Sequence, residues 1–148
     1  MKITGARIEA FLRNPDPKSV AVLVFGPDRG LVRERGATIA RAVVDDPADP
    51  FRVVELSGGS LKSDPARLGD EAAAVPFGGG RKLIRISEVG DDLTQVFSAF
   101  LELARNDGAF VLVQAAELSG RSKLRKLFEG AKNAGAIACY ADDARNLR

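Results

Sequence analysis

The residues best placed to do chemistry lie in the first strand-to-helix turn, Gly26-Pro27-Asp28-Arg29-Gly30-Leu31-Val32-Arg33. A nucleotide-binding α/β protein puts its phosphate loop at this place. Such a loop needs glycines that bare successive N–H groups, a Lys that reaches the terminal phosphates and a Ser or Thr for magnesium. Val32 and Arg33 stand where the Lys and the hydroxyl residue belong, and Asp28 has the wrong sign for an anion. Asp28 reads instead as the N-cap of the next helix. After the third apolar run, where a magnesium-holding acidic pair would follow, Ser87-Glu88 offers a single carboxylate. One carboxylate without a phosphate cradle holds Mg²⁺ poorly. Asp91-Asp92 has the composition of an acid/base pair, but adjacent acids at a helix start serve its cap and its dipole.

Nucleophilic catalysis lacks its parts, because the chain has no His and its lone Cys139 sits in an apolar run where a buried, inert thiol is expected. The same counts leave no disulfide within the chain and no ligand set for structural zinc. From Arg121 to Lys132, five bases (Arg121, Lys123, Arg125, Lys126 and Lys132) face Glu129 alone. This stretch either follows a phosphate backbone or solvates one side of a helix. The core of it, Arg121 to Lys126, holds no aromatic residue for base stacking, which favours solvation.

These groups need a scaffold, and the composition supplies one. The chain has 148 residues and 45% hydrophobic content, enough for one compact domain with an aliphatic core. That excludes a disordered chain, a collagen and a disulfide scaffold. The balance of 22 Lys+Arg against 20 Asp+Glu gives a net charge of +2, weak evidence for a nucleic-acid partner. No export signal is evident and the longest apolar runs are strand-sized, so a cytoplasmic protein with no membrane contact is expected.

Along the chain, Ile3 to Leu12 has helical spacing and stops at Asn14-Pro15. Val20–Phe25 is a continuous apolar run, the pattern of a strand buried on both faces. A helix follows Asp28, with Val32, Gly36, Ile39, Ala40 and Val43 on its inner face and Arg33, Glu34, Arg35 and Arg41 turned away. Phe51–Leu56 is a second strand, Gly58-Gly59-Ser60 a loop, and a helix entered at Pro65 runs to about Ala74. Val75-Pro76-Phe77-Gly78-Gly79-Gly80 is a helix exit, before a third strand at Lys82–Ile86. Asp91-Asp92 opens a helix through Ala104, and Ala109–Gln114 is a fourth strand. A helix from Ser119-Gly120 ends at Asn133-Ala134-Gly135, ahead of a fifth strand at Ala136–Tyr140. Five β/α alternations imply an α/β fold: a parallel sheet with helices on both faces. The sequence divides into a domain over residues 1–141 and, at 142–148, the start of a following segment, so the chain reads as part of a longer protein.

Three segments together resemble one family. Val22-Leu-Val-Phe-Gly-Pro-Asp-Arg-Gly-Leu-Val-Arg-Glu34 is similar to the opening of the DNA polymerase III delta subunit. Ala74-Val-Pro-Phe-Gly-Gly-Gly-Arg-Lys-Leu83 has the spacing of that family's small residue, Leu or Pro, Phe, two small residues and Arg. Leu118-Ser-Gly-Arg-Ser-Lys-Leu-Arg-Lys-Leu-Phe-Glu129 is similar to its Ser-Lys-Leu-Arg-Lys helix. The departures are Pro76, where many members have Leu, and the run of glycines after Phe77. The resemblance implies an AAA+-like, P-loop NTPase-type domain without a functional phosphate loop, with strand order 5-1-4-3-2.

The function it implies is that of a clamp-loader subunit that binds and helps open the sliding clamp (beta subunit) beside other clamp-loader subunits, meeting DNA indirectly. No cofactor, metal or intrinsic catalysis is expected, although the parent complex is a DNA-directed DNA polymerase. It further implies that Val75, Pro76 and Phe77 bind the clamp, while Arg121, Lys123, Arg125 and Lys126 are candidates for DNA or partner contact. Composition favours a core Phe77, whereas Pro76 stiffens the helix exit and the glycines leave the ring uncovered, and the resemblance tips the balance to an exposed tip. Two other readings stay open: a degenerate nucleotide-binding enzyme using Asp28 or Glu88 with an unconventional metal, and a regulatory module. Neither explains the Phe-Gly-Gly-Gly-Arg exit.

Overall fold

The computed structural model describes residues 1–74, 80–105 and 108–140. The strands are β1 (Ala21–Phe25), β2 (Val53–Ser57), β3 (Leu83–Ser87), β4 (Phe110–Gln114) and β5 (Ala134–Ala138). The helices are α1 (Ala6–Arg13), α2 (Arg29–Val43), α3 (Gly58–Ser63), α4 (Arg67–Ala73), α5 (Thr94–Leu103) and α6 (Lys123–Gly130), with a 3₁₀ turn at Asp91–Leu93 leading into α5. All five strands are parallel in the order β2-β3-β4-β1-β5, which is the order that the resemblance implied.

The unbroken apolar run of β1 explains its place. Every residue of Ala21–Phe25 is buried, with Val22 beside Leu112 on β4 and Gly135 on β5. Odd and even positions then supply two separate cores. Val22, Val24, Leu112 and Ile137 pack under α1 and α2 through Phe11, Leu12, Val32 and Ile39. Leu23, Phe25, Ile84, Val111 and Val113 pack under α3 to α6 through Leu61, Leu68, Phe97, Leu124 and Phe128. The Phe97 and Phe128 rings meet edge to face, with centroids 5.8 Å apart.

Four local expectations are corrected. Gly58-Gly59-Ser60 is not a loop but the start of α3, because the Ser57 hydroxyl accepts from the Ser60 N–H at 3.2 Å and caps it. Asn133-Ala134-Gly135 does not simply end a helix, since β5 already begins at Ala134. The chain start contributes more than a helix: Lys2 bridges to Ala136, the Ile3 N–H donates to the Ala136 carbonyl, and the Ala136 N–H donates to the Met1 carbonyl, each at 2.9 Å. Gly135 leaves the space that the Ile3 side chain fills. The fourth correction is Arg35, expected on the outer face of α2 but only 3% exposed.

Candidate functional site

The first turn is sealed by its own chain. Gly26 adopts φ +146°, and a Cβ there would overlap the Cys139 carbonyl of the neighbouring strand's exit, so only glycine fits. The Asp28 N–H points at that same carbonyl, 3.4 Å away, and Gly26 donates to the Ala116 carbonyl at 3.1 Å. Asp28 Oδ1 accepts from the Leu31 N–H at 3.0 Å, so the predicted N-cap is present. A carboxylate thus takes the start of α2, where a nucleotide phosphate would need bare N–H groups. Leu31 and Val32 are buried. The nucleotide and magnesium that this fold often carries do not fit these residues. Glu88, the other acidic candidate, is exposed and has φ +57°. Among the described residues no group of three or more His, Cys, Asp or Glu side chains is placed to hold a metal ion.

Sequence reasoning missed Arg35. Its Nη1 donates to the Ala138 carbonyl at 3.0 Å and lies 3.6 Å from Cys139 Sγ, while its buried Nη2 has no partner. The aliphatic stem fits an inner-face position, and the strand-end carbonyl accepts a hydrogen bond from the guanidinium, which hydropathy alone does not reveal. Cys139 is buried, as expected.

The candidate clamp contact Val75, Pro76 and Phe77 lies outside the described residues. Its two flanks are described, and they are tied together. Lys82, 6% exposed, donates from Nζ to the Glu71 carbonyl at 2.7 Å and pairs with Glu71 Oε1 at 3.3 Å. The last full turn of α4 is thereby fixed to the entry of β3. Gly80 has φ +86°, and a Cβ on it would overlap the Arg52 guanidinium. Lys82 was read only as the first residue of a strand. A lysine at a strand entry whose aliphatic stem is buried carries no sequence signal for this role.

The basic stretch forms α6 and is organised by Asp91. Asp91 does not cap its own helix; its Oδ1 accepts from the Ser122 hydroxyl at 2.5 Å and from the Leu124 N–H at 3.2 Å. Ser122 in turn accepts from the Arg125 N–H at 3.2 Å. The Ser122 hydroxyl bond holds the Asp91 carboxyl below the ordinary carboxylate range, outweighing desolvation, and the Leu124 and Lys123 N–H groups and the Lys123 charge add to it. Asp92 pairs with Lys62. Arg121, Lys123 and Lys126 are exposed. Arg125 is turned inward: it pairs with Glu129 at 3.1 Å, donates to the Leu118 carbonyl at 3.1 Å and lies over the Phe25 ring at 5.0 Å.

No family model matches this sequence, and no curated protein matches it. Solved structures do. The DNA clamp loader delta protein of Bacillus subtilis superposes with a TM-score of 0.68 at 17% identity, over 95% of this chain and 44% of that one. A DNA polymerase III gamma subunit-related protein of Thermotoga maritima superposes with a TM-score of 0.58 at 14% identity, over 95% of this chain and 48% of that one. The chain therefore spans less than half the length of either structure, and what it shares with both is the fold.

Proposed function

We propose that this chain is the first domain of a clamp-loader subunit that binds and helps open a sliding clamp without hydrolysing ATP itself. The observation that supports this most is a clamp-loader fold over 95% of the chain combined with a first turn that its own carboxylate closes. Val75, Pro76 and Phe77 form the clamp contact. They are three apolar residues in sequence between the anchored flanks Glu71 and Lys82, and an apolar aromatic side chain of this kind is the material of an interface hot spot. Arg121, Lys123 and Lys126 offer exposed charge to DNA or to another loader subunit, with Arg125 supporting them from inside. The partners are the clamp (the beta subunit of DNA polymerase III), the ATP-binding loader subunits and, through them, DNA. This is cytoplasmic replication machinery. Among the described residues no helix is long and apolar enough to cross a membrane.

The test is calorimetric titration of the purified clamp with the 148-residue chain. Phe77→Ala should weaken binding at least roughly tenfold, about 1.4 kcal/mol, while leaving the urea unfolding midpoint nearly unchanged. Absence of binding by the wild-type chain, or equal affinity in Phe77→Ala, overturns the proposal.

A further inference from the structure

The first turn of α2 also walls a second feature. It is a cleft of about 420 Å³ above the carboxyl ends of β3 and β4. Topology opens it. The chain leaves β1 for the face covered by α1 and α2, whereas the connections after β3 and β4 pass to the face covered by α3 to α6. Adjacent strands β1 and β4 thus send their connections to opposite faces, and such a switch point is where open α/β sheets take ligands.

The walls of the cleft are cationic. Arg29 and Arg33 from α2 and Arg85 from β3 face Glu88 as the one carboxylate in the lining. The Arg29 and Arg33 side chains are exposed and form no hydrogen bond or ion pair with any other described residue. Arg85 is half-buried and is held by a neutral group: its Nη2 lies 3.5 Å from Gln114 Oε1, and Gln114 Nε2 lies 3.5 Å from the Val32 carbonyl. Glu55, its register neighbour on β2, forms no ion pair with it. Gly36 makes this thread possible, because a Cβ there would overlap the Gln114 amide. Two elements, α2 and β3, therefore bring three guanidinium groups to one concave site that Glu88 alone does not balance.

We infer that this cleft binds a phosphate group carried by a small molecule. Guanidinium forks match the oxygens of a phosphate, and three of them with the Ser87 hydroxyl at the rim suit a tetrahedral oxyanion bearing more than one negative charge. Recognition is by side chains from α2 and β3, not by the backbone N–H that the Asp28 carboxylate already occupies.

The experiment is titration of the full chain with inorganic diphosphate at constant ionic strength and without magnesium, followed by calorimetry and by backbone amide NMR shifts. Saturable binding is expected, with shifts centred on residues 29–33, 85–88 and 114–116. Arg85→Gln and Arg33→Gln should each weaken it at least roughly tenfold. Arg33→Gln changes an exposed side chain and so keeps the test valid if Arg85→Gln disturbs the fold. Arg13→Gln, an exposed arginine at the end of α1, should leave affinity unchanged. Shifts that grow linearly without saturation, that centre on residues 121–126, or that fall equally with Arg13→Gln overturn the inference. So does binding of a single-stranded oligonucleotide in the absence of diphosphate binding.

Discussion

The turn after β1 and the exit from α4 into β3 sit at opposite ends of the parallel sheet, and they are built by opposite rules. At the first turn the Gly26, Asp28 and Leu31 N–H groups have partners from within the chain: the Ala116 and Cys139 carbonyls on one side, the Asp28 carboxylate on the other. Beside the α4 exit, Lys82 binds both the carbonyl and the carboxylate of Glu71. Filling its own N–H groups removes a ligand site from a fold that often carries one. Presenting a short contact segment needs only that its ends be held at a fixed separation. One scaffold thus closes a turn with its own groups at one end and ties a helix to a strand entry at the other.

The sharpest way to break this comparison is at the seal. Gly26→Ala places a Cβ into the Cys139 carbonyl at a φ that side chains rarely adopt, and should cost about 3 kcal/mol in urea unfolding. A change below about 0.5 kcal/mol would mean that the turn is not tightly closed. At the opposite end, Lys82→Met keeps the stem and removes the charge. It should cost about 2 kcal/mol and weaken clamp binding beyond what Phe77→Ala explains, because the flanks part. If affinity is unaffected while stability falls, anchoring and contact are separate.

Asp91 extends the comparison, since it serves a remote helix where Asp28 serves its own. Asp91→Asn should cost about 1 kcal/mol near neutral pH. The Asp91 carboxyl titrates below its ordinary value of 3.8 in the folded chain, so its contribution is fully present above that value and is lost as pH falls through the lower, folded one. Wild-type and Asp91→Asn stabilities should therefore converge in acid, and a difference that persists there would assign the effect to packing. The smallest expected effect is a null one. Calorimetry with MgATP should show no micromolar binding, and such binding, if lost on changing residues 26–30, would revive the enzyme reading.

Much of this was legible in the residues. The double-sided burial of β1 follows from Val20–Phe25 having no polar interruption, and the cap at Asp28 follows from its place before an amphipathic run. What was not legible depended on partners distant in sequence. Arg35 and Lys82 are buried by carbonyls that hydropathy cannot anticipate, Asp91 reaches across to Ser122, and the Arg29, Arg33 and Arg85 cluster exists only once β3 and α2 are neighbours. Gly58 misled because glycine usually marks a loop, whereas here its missing side chain lets α3 start against the Glu88 carbonyl.

The pairing of Lys2 and Ile3 with Ala136 ties the order of synthesis to the order of assembly. Lys2 and Ile3 hydrogen-bond to a strand that is made after every other strand of the sheet, and β1 awaits that same strand along one whole side. Until it emerges, a nascent chain has an apolar strand with an open edge and an unpaired Lys2-Ile3 segment, the kind of surface that holdase chaperones bind. Closure is then a single late event that spans the domain, so a stall in translation just before Ala134 would leave the nascent chain exposed for as long as the stall lasts.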